Sequence, residues 1–266
     1  MGFEVVEGSP RSLWLPIVDA DTLYVGQIVE CQGNEGAAPI GAGAGANDTT
    51  GKVVPFGVVI GTNLKEPAYD STYKANKITD ATPHGSTTEF VMHEGVWARG
   101  DKVAMVEVAM IDSNTVLKGP IYNAAVGTAP TVGTVTTGST TGVAATCSAG
   151  AADVAGVAVL ATVYFRTGAN AGAYRVTDDT STTAVTWDKP TTYDVAVGDK
   201  LVRVNGLRPL GPSRAQFDGE SMYIDCAAAL TTDYYGVDVI KLDLSAAGKE
   251  HVYFKFNLDH FCLKRA

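Results

Sequence analysis

The side chains able to do chemistry are few and poorly spaced for it. The chain has 4 histidines, His84, His93, His251 and His260. A zinc hydrolase helix needs two imidazoles one turn apart, so that both reach one ion, with a carboxylate between them. The segment H-E-G-V-W at His93 supplies an imidazole and a carboxylate but no second histidine, and its neighbours read as a strand. Acyl transfer needs a serine on a strained Gly-x-Ser-x-Gly elbow. In G-S-T-T-G, Gly138 to Gly142, the serine stands one place too early. Glycoside hydrolysis needs two carboxylates facing each other across a cleft. Asp19 with Asp21, and Asp178 with Asp179, instead lie in turn-like sequence, where acids bind backbone amides. A calcium site built from Asp178, Asp179 and Asp188 lacks the ligand spacing of a known loop.

Further patterns resolve in the same direction. G-A-G-A-G-A, Gly41 to Ala46, satisfies Gly-x-Gly-x-x-Ala, but it follows Ala-Pro-Ile and leads into N-D-T-T-G instead of a helix. Without a surrounding βαβ unit it reads as a surface loop, not a dinucleotide cradle. The cysteines Cys31, Cys147, Cys226 and Cys262 form no Cys-x-x-Cys pair and read as separate buried thiols. Arg99-Gly100-Asp101 spells an integrin-binding tripeptide inside what reads as a turn. Trp97 and Trp187 are expected to pack inward, as isolated tryptophans of β proteins do. No catalytic residue, cofactor site or metal ligand is therefore assigned, and the chain reads as a protein that is not an enzyme.

The elements that would position any site are strands. The alternation Val252, Phe254, Phe256, Leu258 against His251, Tyr253, Lys255, Asn257 has period two, the mark of a half-buried strand. The same alternation sets Met222, Ile224 and Cys226 inward, and Ile240, Leu242 and Leu244 inward against Val239, Lys241 and Asp243. The continuous apolar runs Val53 to Gly61, Lys102 to Met110 and Val157 to Phe165 predict central strands covered on both faces. Helical periodicity is almost absent, and Ala68 to Asp80 is the only stretch read as a short helix. A Gly-polar step precedes an apolar strand three times, in Y-V-G-Q-I-V-E at Tyr24, A-R-G-D-K-V-A-M at Ala98 and A-V-G-D-K-L-V-R at Ala196. Such a step is a glycine turn feeding a strand at a barrel or sandwich corner.

These signals predict an all-β chain: a small β-barrel or β-tulip-like core with an inserted β-sandwich-like subdomain. Residues 1–119 form the first part of the core, 120–204 the insertion, and 205–266 strands that complete the core. The net charge of −9 is spread without a basic stripe, which argues against a nucleic-acid partner. No uninterrupted apolar run approaches ~18 residues and the start is not basic, so no membrane partner is expected and the product reads as cytosolic when made.

The stretch A-T-V-Y-F-R-T-G-A-N-A-G-A-Y-R-V-T-D-D-T-S-T-T-A-V-T-W-D-K-P, followed by Y-D-V-A-V-G-D-K-L-V-R-V, resembles a β module of tailed-bacteriophage virion proteins. In that pattern a Thr-Gly-x-Asn-Ala-Gly hairpin precedes a strand, a threonine-rich turn, a proline and Ala-x-Gly-Asp. The segments L-Y-V-G-Q-I-V-E, F-G-V-V-I-G and F-V-M-H-E-G-V-W-A-R-G-D-K-V are similar to the small barrel of phage capsid decoration proteins, with Gly26-Gln27 replacing the first Gly-Asp. The resemblance implies a cement protein on the outer surface of an icosahedral head. Its partners would be the major capsid protein and itself, as a homotrimer or homodimer, with residues 1–119 bearing the capsid-binding part. Other readings are a tail, collar or fibre-base protein of a virion, and a secreted β-sandwich lectin or glycan-active enzyme.

Overall fold

The computed structural model describes residues 2–17, 21–32, 36–40, 55–63, 67–79, 104–122, 130, 132–140, 142–147, 161–170, 172–178, 183–215, 217, 221–226 and 235–256. The chain is all-β, with no helix among these residues. It divides into two compact units interleaved in sequence. The first holds Met1–Gly119, Phe217–Tyr223 and Phe256–Ala266, and the second Pro120–Gln216 and Ile224–Lys255.

The first unit contains β1 (Glu4–Glu7), β2 (Ser12–Pro16), β3 (Thr22–Tyr24), β4 (Ile28–Gln32), β5 (Gly36–Pro39), β6 (Gly57–Thr62), β7 (Ala68–Asp70), β8 (Ala75–Thr79) and β9 (Met105–Met110). The chain passes into the second unit within β10 (Val116–Tyr122). There it forms β11 (Val132–Thr137), β12 (Ala144–Cys147), β13 (Ala161–Phe165), β14 (Gly172–Asp178), β15 (Ala184–Trp187), β16 (Lys200–Asn205) and β17 (Gly211–Ala215). β18 (Ile224–Asp225), β19 (Tyr235–Asp243) and β20 (His251–Phe256) follow, the last residue of β20 belonging to the first unit.

In the first unit an antiparallel sheet runs β2-β9-β6-β4-β5. The continuous apolar runs supply its interior strands β6 and β9, as their lack of alternation requires. The sheet curls until its edges meet: Ile17, just past β2, bridges Ala37 in β5. Gly36 permits this closure. Its φ is +122°, and a side chain there would run into the Pro16 carbonyl. Leu23, Val29, Phe56, Val59, Val106 and Val108 fill the interior.

A second sheet, β3-β8-β7, corrects one expectation. The stretch expected to be a short helix, Ala68 to Asp80, is not helical over Ala68 to Thr79: β7 and β8 form a hairpin. Asp70 Oδ1 accepts from the Thr72 amide at 2.8 Å and the Tyr73 amide at 3.3 Å. An aspartate that accepts from the amides two and three residues on stabilises a tight turn over a helix, and β8 gains β3 as a second partner.

In the second unit one sheet closes completely, in the order β11-β12-β15-β14-β13-β16. This barrel lies in the stretch expected to form the inserted subdomain. Its interior holds Val135, Cys147, Phe165, Val176, Trp187 and Leu201 among others. Trp187 points inward as expected: its ring lies 5.5 Å from Phe165 at 85°, and its indole N–H donates to the Gly142 carbonyl at 2.8 Å. Closure leaves the barrel no open edge. The same unit contains the end of β10 with β20, β19 and β17, and β18 lies parallel to β10. A buried ion pair joins this sheet to the barrel. Arg166, at the end of β13, donates to Glu250 Oε1 and, through Nε, to the Leu244 carbonyl at 2.6 Å.

β20 alternates as read from the sequence, with Val252, Phe254 and Phe256 buried. β19 does not. Val237 and Val239 are buried and Ile240 is exposed, before Leu242 and Leu244 turn inward. The pairs with β17 end at Gly211 and Val239, and the alternation changes phase just beyond that last pair.

Gly36→Ala is expected to destabilise the chain by about 3 kcal/mol, through positive φ and the overlap with Pro16. Urea unfolding measures this, and a loss below about 1 kcal/mol would show that the closure tolerates a side chain.

Candidate functional site

The two units turn the same corner in the same way. In the first, the Tyr24 amide donates to Gln27 Oε1 at 2.8 Å while the Gln27 amide donates to the Tyr24 carbonyl at 3.0 Å. In the second, the Ala196 amide donates to Asp199 Oδ2 at 3.1 Å while the Asp199 amide donates to the Ala196 carbonyl at 3.2 Å. The residue after the glycine therefore closes a reciprocal turn with both its side chain and its backbone. Gln27 replaces the aspartate and does the same work, at a cost: its Nε2 is buried without a hydrogen-bond partner.

The likeness extends into the neighbouring strands. The Gly26 amide donates to the Val59 carbonyl and the Val59 amide to the Gln27 carbonyl, at 2.7 and 2.9 Å. The Gly198 amide donates to the Val135 carbonyl and the Val135 amide to the Asp199 carbonyl, both at 2.9 Å. Two residues before each valine stands a glycine, Gly57 paired with Val29 and Gly133 paired with Leu201. The register then slips just after each valine, between Val59 and Gly61 against β9 and between Val135 and Thr137 against β12. The three-strand paths β4-β6-β9 and β16-β11-β12 are thus built alike, although the corner precedes its partner strand in the first unit and follows it in the second.

The residues of the Thr-Gly-x-Asn and Ala-x-Gly-Asp patterns meet at the second corner. Lys200 N donates to Thr167 Oγ1 at 2.9 Å. Gly168, at φ +87°, lies so close to the Asp199 carboxylate that a methyl group there would overlap it. Asn170 is buried and bonds backbone on three sides: Oδ1 accepts from the Tyr193 amide at 2.9 Å, and Nδ2 donates to the carbonyls of Tyr193 and Asp194 at 2.9 and 3.2 Å. Thr-Gly-x-Asn and Ala-x-Gly-Asp are therefore two halves of one latch. Sequence reading found both halves but not their contact, because the spacing along the chain carries no sign that the hairpin ends beside the final strand.

The candidates for chemistry remain apart. Asp188 Oδ1 accepts from the Arg175 amide at 3.3 Å, a turn contact. His251 lies with Nε2 3.9 Å from Asp243 Oδ2 and Nδ1 2.9 Å from the Lys249 carbonyl. Asp243 is held below the usual carboxylate range first by the Ser245 hydroxyl. Among the described residues no group of three His, Cys, Asp or Glu could hold a metal ion. Gly41 to Ala46, Arg99 to Asp101, Asp19, Asp179, Trp97, His84, His93, His260 and Cys262 lie outside the described residues, as does the side chain of Asp178. Burial pushes the Cys147 thiol up to about 11 and, with help from the Asp225 carboxylate, the Cys226 thiol to about 12.

The first unit also carries a concavity of about 490 Å³ beside β1, lined by Phe3, Val5, Val25, Val59, Ile60 and Tyr69 among others. Its surface is mixed, with Glu4, Lys74 and Asn76 lining it beside the apolar side chains. What the corners do is hold backbone, and the second corner also holds up side chains: Val197 is 70% exposed and Tyr193 59% exposed on a loop whose Tyr193 and Ala196 amides are tied down.

Gly168→Ala is expected to cost about 3 kcal/mol in the native background and clearly less in Asp199→Ala, because the methyl then meets no carboxylate. A double-mutant cycle with zero coupling would refute the latch. Ionisation gives a second check. In the unfolded chain both thiols ionise near the model-compound value of 9.0, and in the folded chain only near 11 and 12. Above pH 9 the unfolded chain sheds protons that the folded chain keeps, so stability falls with rising pH, by up to about 1.4 kcal/mol per unit for each thiol. Denaturant midpoints between pH 9 and 11 measure the slope. It is expected to flatten when Cys147 and Cys226 are both replaced by alanine, and an unchanged slope would refute the assignment.

Comparison of the chain with protein-family models, with curated proteins and with solved structures finds no match in any of the three.

Proposed function

We propose that this chain is a structural protein of a tailed-bacteriophage virion, acting as a capsid decoration or cement protein. It binds the outer surface of the icosahedral head as a homotrimer or homodimer and bridges subunits of the major capsid protein. It performs no catalysis and uses no cofactor. The observation that carries this reading is the latch: the residues of the virion-like motif, Thr167, Gly168, Asn170, Gly198 and Asp199, all serve to close and stiffen one barrel. Thr167, Asn170 and Asp199 spend their side chains on backbone, which serves architecture, since a reacting group needs an unsatisfied atom facing a substrate.

Other features support the same role. The second corner presents Val197 and Tyr193 on immobilised backbone, and a preordered apolar anchor loses little entropy when it docks. A bridging protein that binds only the assembled shell stabilises it by linkage, by about 2.7 kcal/mol per site when its free concentration is about 100 times its Kd.

Electron cryomicroscopy of particles that carry this chain is the direct test, with a regular lattice of density over the head as the expected result. Density confined to neck, tail or fibres would move the function to attachment or tail assembly. Particles lacking the chain are expected to release their genome at lower temperature than complete ones, and identical release temperatures would remove the cement role.

A further inference from the structure

The hairpin of β7 and β8 is anchored at one end and bare at the other. Ile78 in β8 pairs with Leu23 in β3, and both side chains are buried in the core of the first unit. Side chains two residues apart on a strand share a face, so Asn76 continues the face that Ile78 buries. Tyr69 stands opposite Asn76 on β7 and points the same way. Both are exposed, Tyr69 at 63%. Next to them in the row is Val25, whose amide donates to the Asn76 carbonyl at 2.9 Å.

A second element presents an apolar side chain to the same space. Val59 and Gly61 in β6 pair with the adjacent residues Val108 and Glu107, so Ile60 is the extra residue of a bulge. Val59 is buried, but the bulge turns Ile60 out, to 45% exposure. Ile60 and Tyr69 both line the concavity of about 490 Å³, and Glu4 of β1 lines it with them. Lys74 joins the lining from the hairpin turn at φ +51°, a backbone conformation that lysine seldom adopts.

We propose that this concavity binds a short neutral oligosaccharide. A pyranose ring has an apolar face of C–H groups and a rim of hydroxyls, each able to donate and to accept. Its apolar face lies on Tyr69, an aromatic surface largely open to solvent, with Ile60 and Val25 beside it. Its hydroxyls meet a carboxylate that only accepts at Glu4, an ammonium that only donates at Lys74, and an amide that does both at Asn76. Glu4 lies 4.0 Å from Lys118, an exposed contact too long to occupy its carboxylate.

The same lining selects against other ligands. A wholly apolar molecule would strip water from the three polar groups and return no hydrogen bonds. A charged one would meet its own sign at Glu4 or at Lys74, whereas a neutral one meets charges that cancel. The volume falls within the range of about 300–1,000 Å³ usual for small-ligand sites. Sugar binding goes beyond the decoration reading and stands without it, because the site is complete in one chain.

Maltotriose, cellotriose, mannotriose, galactotriose and chitotriose are each titrated into the full isotopically labelled chain to ~10 mM, a range that captures millimolar affinity. At least one is expected to shift the amides of Val5, Ile60, Tyr69 and Asn76 together. Tyr69→Ala should weaken that sugar about tenfold or more, and Tyr69→Phe, which keeps the ring, should bind it as the native chain does. Asn76→Ala should weaken it about fivefold. Both side chains are exposed, so unfolding midpoints are expected to stay at the native value, which separates lost binding from a lost fold. No shift with any of these sugars, shifts centred elsewhere, or native affinity in Tyr69→Ala would each overturn the proposal. So would tighter binding of trigalacturonate than of galactotriose, which would make the ligand an anion. Binding of a Lys-Val-Lys-Val peptide in place of every sugar would also overturn it, in favour of a strand added to β1.

Discussion

A strand that turns a barrel corner must change direction without leaving its amides and carbonyls unbonded, because buried backbone groups without partners cost more than most side-chain contacts return. This chain meets the requirement with one device used twice: a glycine followed by a side chain that reaches back three residues to an amide, while its own amide reaches the carbonyl of that same residue. Everything next to the corner follows from that geometry. The neighbouring valine pairs with the turn on both of its backbone groups, a glycine stands two residues earlier and at Gly57 admits close approach, and a slip in register bends the sheet away. An aspartate and a glutamine both fill the role, because what is needed is an oxygen at the right reach.

The second unit adds a different kind of joint. Arg166 and Glu250 pair where both side chains are almost wholly shielded, and Arg166 also holds the Leu244 carbonyl. Glu250 Oε2 has no hydrogen-bond partner, so the pair is only partly compensated. Such an arrangement contributes little net stability compared with apolar residues of the same volume, yet losing one partner is costly because the other is left charged and buried. Its effect is to fix one docking of barrel on sheet by penalising every other.

Much of this was legible in the sequence. Runs without alternation at β6, β9 and β13 marked central strands, and the alternation of Val252, Phe254 and Phe256 marked a half-buried one, because burial pattern follows directly from the two-residue period. Gly-polar steps marked the corners. The hairpin of β7 and β8 was misread as helix because Asp70 and its turn compete with helix only through bonds made after the chain has folded back. The phase change in β19 was hidden because pairing with β17, and not side-chain type, sets which residues face inward. The meeting of Asn170 with Tyr193 depends on a closed barrel, which no local window contains. The same holds for the equivalence of the two corners, since their partner strands come on opposite sides of them in the chain.

That reversal of order has a consequence for how the protein emerges from a ribosome. In the first unit β4 is made before β6, so the corner is waiting when its partner arrives. In the second unit β11 is made first and must remain unpaired on that side until β16 is synthesised at the far end of the barrel sequence. Closing so long a loop carries an entropic cost that only the completed ring offsets. The second barrel therefore forms late and cooperatively, and during synthesis β11 is a strand edge that must be kept from pairing with another chain.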